Sequence, residues 1–238
     1  MQKLEEIQCQ YGTIYAVKGD DRIGATLKKT GTWEKQDLDF CIRLYKQFCQ
    51  PTQSVILDVG ANVGTYGIPL AQYFPSKIVH CFECQELLAT ALELSVQKNN
   101  LSNLIVHHVA LSNINNQEFQ YNKINYDWLA NFGSFELEMP FKNSDFNGRC
   151  SDTLESVPMA TIDSFNLDGV GFIKLDVEGM ELKILQGAIK TIDRCQPMIV
   201  YENHKTDVES LNVFVEHIGY VQKITNGLST FIVPKKNK

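Results

Sequence analysis

The sequence has 238 residues, of which 44% are hydrophobic and 21% are charged, as in an ordinary globular domain. Its 28 acidic and 22 basic residues give a net charge of -6, which argues against nucleic acid as the main partner because such binding depends on Lys and Arg. Residues 1–9 lack the apolar core of a signal peptide, and no apolar run is long enough to span a bilayer. The odd number of seven cysteines indicates reduced thiols and predicts a cytoplasmic location.

The first fifty residues are predicted to form a strand and helix appendage to a larger domain at 51–238. Alternating residues predict a strand at 11–17, and apolar residues at helical spacing predict a helix at 36–48. From residue 54 the pattern changes to short, continuously apolar strands that alternate with helices. We predict strands at 55–59, 78–82 and 104–110 and helices at 66–74 and 87–98.

A region rich in Asn and aromatic residues, at about 112–160, interrupts the alternation and is predicted to be an insertion of short strands and loops. Its aromatic residues, including Phe141 and Phe146, form either a lid that binds an acceptor or an ordinary hydrophobic cluster; the turn at 131–134 is expected nearest the substrate. Later elements are predicted as strands at 171–175, 198–201, 220–224 and 230–233 and helices at 180–192 and 208–217. The last two strands form a hairpin around Asn226-Gly227. Repeated strand and helix units predict an α/β fold with a mostly parallel sheet and helices on both faces.

A glycine loop follows the first buried strand and opens the next helix. Glycines let the backbone turn sharply and approach a ligand at the carboxyl edge of a sheet. The next buried strand ends at Glu83, whose carboxylate can accept hydrogen bonds from both hydroxyls of a ribose. Together these features predict an adenosine-type ligand, the alternative being a tight turn without one. The candidate cofactor-binding residues of the loop are Asp58, Gly60, Ala61, Asn62 and Gly64.

The same loop distinguishes two cofactors. A dinucleotide fingerprint needs Gly at its first, third and sixth places, where this chain has Gly60, Asn62 and Thr65. S-adenosylmethionine has no phosphate to press against the backbone, so it tolerates a side chain at Asn62, and its cationic groups favour nearby acids such as Asp58. The loop therefore favours S-adenosylmethionine over a nicotinamide dinucleotide.

Acidic residues also follow two later buried strands. Asp176 and Glu178 come after one strand, and Glu202 ends the next. Because the carboxyl ends of parallel strands meet at one edge of the sheet, these three acids are candidate catalytic residues, and Asp176 is also a candidate cofactor contact. A base near the acceptor would help methyl transfer to a hydroxyl. The alternatives are that Asp176 or Glu178 only caps the following helix, and that His204 is the base.

No metal site is predicted. Cys81 and Cys84 form a single pair with no second pair or suitably spaced His, and zinc needs four ligands. His107 and His108 are neighbours on a strand, so their side chains point to opposite faces of the sheet.

The motifs at 58–64, Phe82-Glu83 and 173–179, followed by Glu181, Leu185, Gly187, Ala188, Pro197 and Glu202, resemble the FkbM family of methyltransferases. The resemblance covers about residues 31–203. It implies a class I methyltransferase sheet of seven strands with an antiparallel last strand, and methyl transfer to an oxygen, often a sugar or polyketide hydroxyl. It also implies that Glu34, in Gly31-Thr32-Trp33-Glu34, reaches the cofactor cleft. Cys84 stands where family members often have Pro after the strand-ending Glu.

The sequence thus predicts an S-adenosylmethionine-dependent O-methyltransferase that acts on a carbohydrate or other small hydroxylated acceptor. One alternative is a catalytically inactive protein that binds a nucleoside or a partner on the same fold. A nicotinamide-dependent oxidoreductase is a further alternative. The step to oxygen as the methylated atom depends on the family resemblance, because the residues by themselves support a methyltransferase of unspecified acceptor.

Overall fold

The computed structural model describes residues 2–136, 150–203, 205–226 and 229–235. Four residues that figure in the sequence predictions, Phe141, Phe146, His204 and Gly227, lie outside these ranges. Within the described part of the chain, no helix is both long and apolar enough to cross a membrane.

Twelve strands and seven α-helices are present in the described residues. The strands are β1 (Leu4–Cys9), β2 (Gly12–Val17), β3 (Val55–Val59), β4 (Ile78–Glu83), β5 (Leu104–His108), β6 (Ala110–Leu111), β7 (Gln117–Ile124), β8 (Cys150–Ala160), β9 (Val170–Leu175), β10 (Met198–Glu202), β11 (Tyr220–Asn226) and β12 (Ser229–Pro234). The helices are α1 (Ile23–Thr30), α2 (Lys35–Phe48), α3 (Gly67–Tyr73), α4 (Glu86–Lys98), α5 (Glu181–Gln186), α6 (Ile189–Cys195) and α7 (Val208–His217).

Seven strands form one sheet in the order β11-β12-β10-β9-β3-β4-β5. The contacts of β9 with β10 and of β3 with β4 and β9 are parallel, whereas β12 runs antiparallel to both β10 and β11. This arrangement confirms the predicted α/β fold with an antiparallel last strand. It also places the carboxyl ends of β3, β4, β9 and β10 at one edge of the sheet.

The central strands are covered on both faces. Every residue of β3 and β9 is buried, and because side chains alternate between the faces of a strand, both faces must be packed. On one face, α2 contributes Tyr45, whose ring meets that of Phe172 edge to face with centroids 6.3 Å apart. On the same face, Gly67, the first residue of α3, packs so closely on β4 that a Cβ there would collide with Cys81 Sγ.

The N-terminal region shares the core of the sheet domain. The β1–β2 hairpin packs on α4, where Ser95 Oγ accepts a hydrogen bond from the backbone N–H of Tyr15 at 2.8 Å. Asn99 accepts a second one from the N–H of Thr13 at 2.9 Å. Leu38 and Cys41 of α2 are buried in the core. The division of the chain at residue 50 remains a proposal.

The fold differs from the predicted elements in several places. Strand β1 and helix α1 have no counterpart among the predicted elements, and the strand predicted at 104–110 is split into β5 and β6, which belong to different sheets. The single helix predicted at 180–192 is wrong: the chain forms α5 and α6, separated at Gly187. A Cβ on Gly187 would collide with the carbonyl oxygen of Ser112, and the Asp163 carboxylate accepts hydrogen bonds from the N–H groups of Lys190 and Thr191 at the start of α6. The inserted region has longer strands than expected, since β7 and β8 form an antiparallel pair beside β6.

Candidate functional site

A cavity of about 390 Å³ lies at the carboxyl edge of the sheet, where β3, β4 and β9 end. It is bounded by the glycine loop after β3, by the end of β4 and by the loop after β9. Residues from the segment before α2 and from the turn at 131–135 complete the wall. The sequence-predicted residues in this wall are Glu34, Asp58, Gly60, Ala61, Asn62, Glu83, Asp176, Glu178 and Glu202.

Gly60 allows the glycine loop after β3 to pack directly against the loop after β9. Its φ of 76° lies in the left-handed region, and a Cβ would lie 1.8 Å from the carbonyl oxygen of Asp176. The N–H groups of Gly60 and Ala61 both donate to the carbonyl oxygen of Phe82 at 3.0 Å. The loop is therefore fixed between β4 and the loop after β9, and only glycine fits at this position.

Glu83 is held in the cavity wall by backbone donors. Its Oε2 accepts a hydrogen bond from the N–H of Asn62 at 2.9 Å, and its Oε1 accepts one from the N–H of Gln85 at 2.8 Å. Burial raises the pKa of this carboxyl, and these hydrogen bonds oppose the rise. Asn62 has a φ of 50°, a conformation that Asn tolerates better than most residues. The glycine loop and the acid at the end of β4 thus form one hydrogen-bonded unit.

Gly64 differs from its neighbours in the loop because it is not part of the cavity wall. It has a φ of 89°, and a Cβ there would collide with Leu92 Cδ1 of α4. Its N–H donates to the carbonyl oxygen of Ala61 at 2.8 Å. Gly64 therefore stabilises the turn of the glycine loop and does not line the cavity.

The turn at 131–135 lies over the glycine loop. A Cβ on Gly133 would lie 2.8 Å from Asn62 Nδ2, so the two segments are in contact. Gln85 Nε2 donates to the carbonyl oxygen of Phe132 at 2.9 Å, and Tyr126 Oη donates to Gln85 Oε1 at 3.0 Å. Asn131, Gly133 and Ser134 line the cavity.

A second cavity of about 280 Å³ lies beside the first, between the start of α2 and the ends of β9, β10 and β12. Gln36, Asp37 and Ser229 line it and are absent from the wall of the first cavity. Five residues belong to both walls, and we call them the shared wall. They are Glu34, Tyr66, Lys174, Asp176 and Glu202.

Lys174 occupies the centre of the shared wall. Its Nζ is 3.3 Å from Asp176 Oδ2, 3.7 Å from Asp58 Oδ1 and 4.5 Å from the centroid of the Tyr66 ring. Tyr66 Oη donates to Glu34 Oε2 at 3.0 Å. Burial lowers the pKa of Lys174, but the carboxylates of Asp176, Asp58 and Glu34 outweigh it and raise the pKa, so the ammonium stays protonated.

Asp176 and Glu202 form a hydrogen-bonded pair of carboxyl groups. Burial, the Asp176 carboxylate and the hydrogen bond to it raise the pKa of Glu202 to about 8; Glu178 adds to the rise and Lys174 opposes it. Two adjacent carboxyl groups avoid repulsion when one keeps its proton, so near neutral pH Glu202 is the protonated member. A carboxyl group with this pKa can exchange a proton in the physiological range.

Glu178 is tied to a lysine from another loop. Its Oε2 is 2.5 Å from Lys205 Nζ, which is also 3.2 Å from Glu136 Oε1 and donates to the carbonyl oxygen of Ser134 at 3.5 Å. Burial raises the pKa of Glu178 to about 7, and Lys205 opposes the rise. Lys205 therefore joins the loop after β9 to the 131–136 segment that covers the cavity.

Sequence reasoning grouped the strand-end acids correctly but missed the residues that hold them. It treated Lys174 only as part of a motif, although a lysine inside a fully buried strand is uncommon and must be paired. No local pattern identifies Tyr66, Gln85 or Lys205. Among the described residues, no group of three or more His, Cys, Asp or Glu could hold a metal ion.

The strand order and the antiparallel last strand define the Rossmann-like α/β fold of class I methyltransferases. The sequence matches the methyltransferase FkbM domain over residues 58–223. The chain belongs to this methyltransferase family, as the resemblance in its motifs predicted. A comparison with curated protein sequences gave no match.

Solved structures of methyltransferases are similar to this chain at low sequence identity. A methyltransferase FkbM from Methylobacillus flagellatus KT is 17% identical with a TM-score of 0.51, over 80% of this chain and 49% of that one. This chain thus spans about half the length of that protein. Precorrin-6y C5,15-methyltransferase from Geobacter metallireducens GS-15 is 13% identical with a TM-score of 0.47, over 82% of this chain and 85% of that one. Magnesium protoporphyrin IX methyltransferase from Synechocystis PCC 6803, solved with bound S-adenosylmethionine, is 10% identical with a TM-score of 0.48, over 84% of this chain and 79% of that one.

Proposed function

We propose that this protein transfers a methyl group from S-adenosylmethionine to a hydroxyl oxygen of a carbohydrate or other small acceptor. The observation that carries the proposal is the buried carboxylate of Glu83, fixed beside the glycine loop in the wall of a cavity at the carboxyl edge of the sheet. Membership of a methyltransferase family supports the reaction type. The choice of oxygen as the methylated atom depends on the family resemblance.

The first cavity has the groups that S-adenosylmethionine needs. Glu83 would bind the ribose hydroxyls, because its carboxylate oxygens can accept hydrogen bonds beyond those they receive from Asn62, Cys84 and Gln85. Asp58 Oδ1 is buried and accepts no hydrogen bond among the described residues, and its ion-pair partner is Lys174 Nζ at 3.7 Å. An ammonium group is the complement of such an atom, so Asp58, with Glu34 nearby, would bind the amino end of the methionine portion.

The bound cofactor would supply an electrophilic methyl group, and the chain would supply orientation and a proton acceptor. We assign the second cavity to the acceptor because it meets the cofactor cavity at Asp176 and Glu202. Glu202 would accept the hydroxyl proton in its deprotonated form, which becomes the major form above pH 8 and is a stronger base than an ordinary carboxylate because its pKa is about 8. Asp176 would hold Glu202 in place through their hydrogen bond. Glu178 would act mainly in closing the cavity, because Lys205 holds it.

The charge and size of the two cavities favour a small acceptor over a nucleic acid. The shared wall contains three acids and one lysine, and the whole chain has a charge of -6, so it would repel a polyanion. All seven cysteines are free thiols, which fits a reducing compartment and supports a cytoplasmic location.

A turnover assay tests the proposal. The protein is incubated with S-adenosylmethionine and a panel of hydroxylated acceptors that includes neutral sugars, amino sugars and uronic acids, and S-adenosylhomocysteine formation is measured. We expect acceptor-dependent formation that falls at least about 100-fold in Glu202→Gln, since general-base catalysis contributes that much. Glu216→Gln, an exposed change on α7, is the matched control. Equal rates in the two variants would contradict the assignment of the base, and no turnover with any acceptor would favour the inactive binding protein.

A further inference from the structure

Lys174 is a charged residue in the interior of the sheet. It is the penultimate residue of β9, opposite Asp58 on β3 and Val200 on β10, and its side chain is only 9% exposed. Moving an ammonium ion from water to such a position is unfavourable unless the ion is paired. The charge is held in place by carboxylates on two sides and by the face of the Tyr66 ring.

The two carboxylates beside Lys174 belong to different parts of the site. Asp58 lines the first cavity, whereas Asp176 is hydrogen-bonded to Glu202 at the boundary with the second cavity. The Lys174 ammonium group forms ion pairs with both of these carboxylates. A buried cation fixes its partners more firmly than a surface ion pair does, because solvent screens it little.

We propose that Lys174 is a positioning residue that holds Asp58 in the wall of the first cavity and the Asp176–Glu202 pair in the shared wall. The inference rests on the proposed function, because it gives these acids their roles towards cofactor and acceptor. Lys174 lines both cavities, but its proposed role is exerted through its carboxylate partners. It acts through Asp58 on the amino end of the cofactor and through Asp176 on the residue that accepts the proton.

The charge of Lys174 has a consequence for the titration of Glu202. The groups that act on Glu202 are Asp176 and Glu178 from the loop after β9, which raise its pKa, and Lys174 from β9, which lowers it. Removing the ammonium removes the group that lowers the pKa of Glu202. Glu202 should then hold its proton to higher pH, by about 1 pH unit, the low end of the range for a nearby opposite charge.

The test uses a double variant in which the Lys174 ammonium and the Asp58 carboxylate are both replaced by uncharged groups. Lys174→Met alone would leave Asp58 as a buried, unpaired charge and could unfold the chain, so it is combined with Asp58→Asn. The single variant Asp58→Asn is the control, because it removes the carboxylate but keeps the lysine. All proteins are labelled with ¹³C-glutamate, the Glu202 carboxyl signal is assigned from its absence in Glu202→Gln, and its shift is followed against pH without acceptor.

We expect a midpoint near 8 in the wild type and in Asp58→Asn, and a midpoint higher by about 1 pH unit in the double variant. A double variant that folds and titrates as the wild type does would overturn the proposal, since a purely structural lysine would not move this midpoint.

A second measurement avoids substitution at position 174. In wild-type protein labelled with ¹³C-lysine, the Lys174 side-chain signal should move through the same midpoint as Glu202, and this movement should vanish in Glu202→Gln. A Lys174 signal that ignores the Glu202 titration would also refute the proposal. Calorimetry of the wild type with S-adenosylmethionine distinguishes the two ideas: coupling without cofactor binding would reject the proposed function, whereas binding without coupling would reject only the role of Lys174.

Discussion

Replacing Gly60 by alanine tests how tightly the two central loops are packed. The residue has a φ of 76°, and the new Cβ would lie 1.8 Å from the carbonyl oxygen of Asp176, an atom of the backbone that no side-chain rotation can move. The left-handed conformation costs about 1–3 kcal/mol for a residue with a side chain, and the overpacking adds about 1–3 kcal/mol. We therefore expect the free energy of unfolding to fall by about 2–6 kcal/mol, and the Tm by about 5–20 °C.

The chain offers a closely matched control for this change. Gly219, between α7 and β11, has a φ of 77°, and a Cβ there would meet nothing within 4 Å. Gly219→Ala therefore carries the conformational cost without the collision. Thermal unfolding followed by circular dichroism should show a clearly larger loss for Gly60→Ala than for Gly219→Ala. Equal losses would mean that the backbone conformation alone matters, and would refute the inference that the loops are locked against each other.

Other predictions address the supports of the site. Asp163→Ala removes the carboxylate that caps α6 and should lower the free energy of unfolding by about 1–2 kcal/mol in urea titrations; an unchanged midpoint would contradict the cap. Because the Asp176 carboxylate raises the pKa of Glu202, Asp176→Asn should move the rising limb of the pH-rate profile from about 8 to lower pH, and a rise would contradict the sign. Lys205→Met should speed hydrogen exchange in the 131–136 segment, because it removes the lysine that joins this segment to Glu178, and unchanged exchange would contradict this link.

Elements with strong local patterns could be predicted from the sequence. The strand predicted at 55–59 and the helix predicted at 208–217 have the same bounds in the structure, Val55–Val59 and Val208–His217. A short apolar run before a glycine and a helical spacing of apolar residues both depend on neighbours in the sequence, so local reasoning finds them. Strand β1 and helix α1 were missed because their apolar residues are too few to form a clear pattern.

Features that depend on distant residues could not be predicted. The break between α5 and α6 is set by Ser112 and Asp163, which lie far from Gly187 in the sequence. The partners of Lys174 come from neighbouring strands, and the link between Lys205 and Glu136 joins two separate loops. The sequence could place acids at strand ends, but only the fold shows which of them share a proton or a cation.

Calorimetric titration with S-adenosylmethionine tests whether the cavity beside the glycine loop binds the cofactor through the Glu83 carboxylate. We expect the wild type to bind and Glu83→Ala to bind at least about tenfold more weakly, since hydrogen bonds to a charged group are worth about 1.5–3 kcal/mol each. Glu93→Ala, an exposed change on α4, should bind as the wild type does. Equal affinity in the wild type and Glu83→Ala would contradict the account.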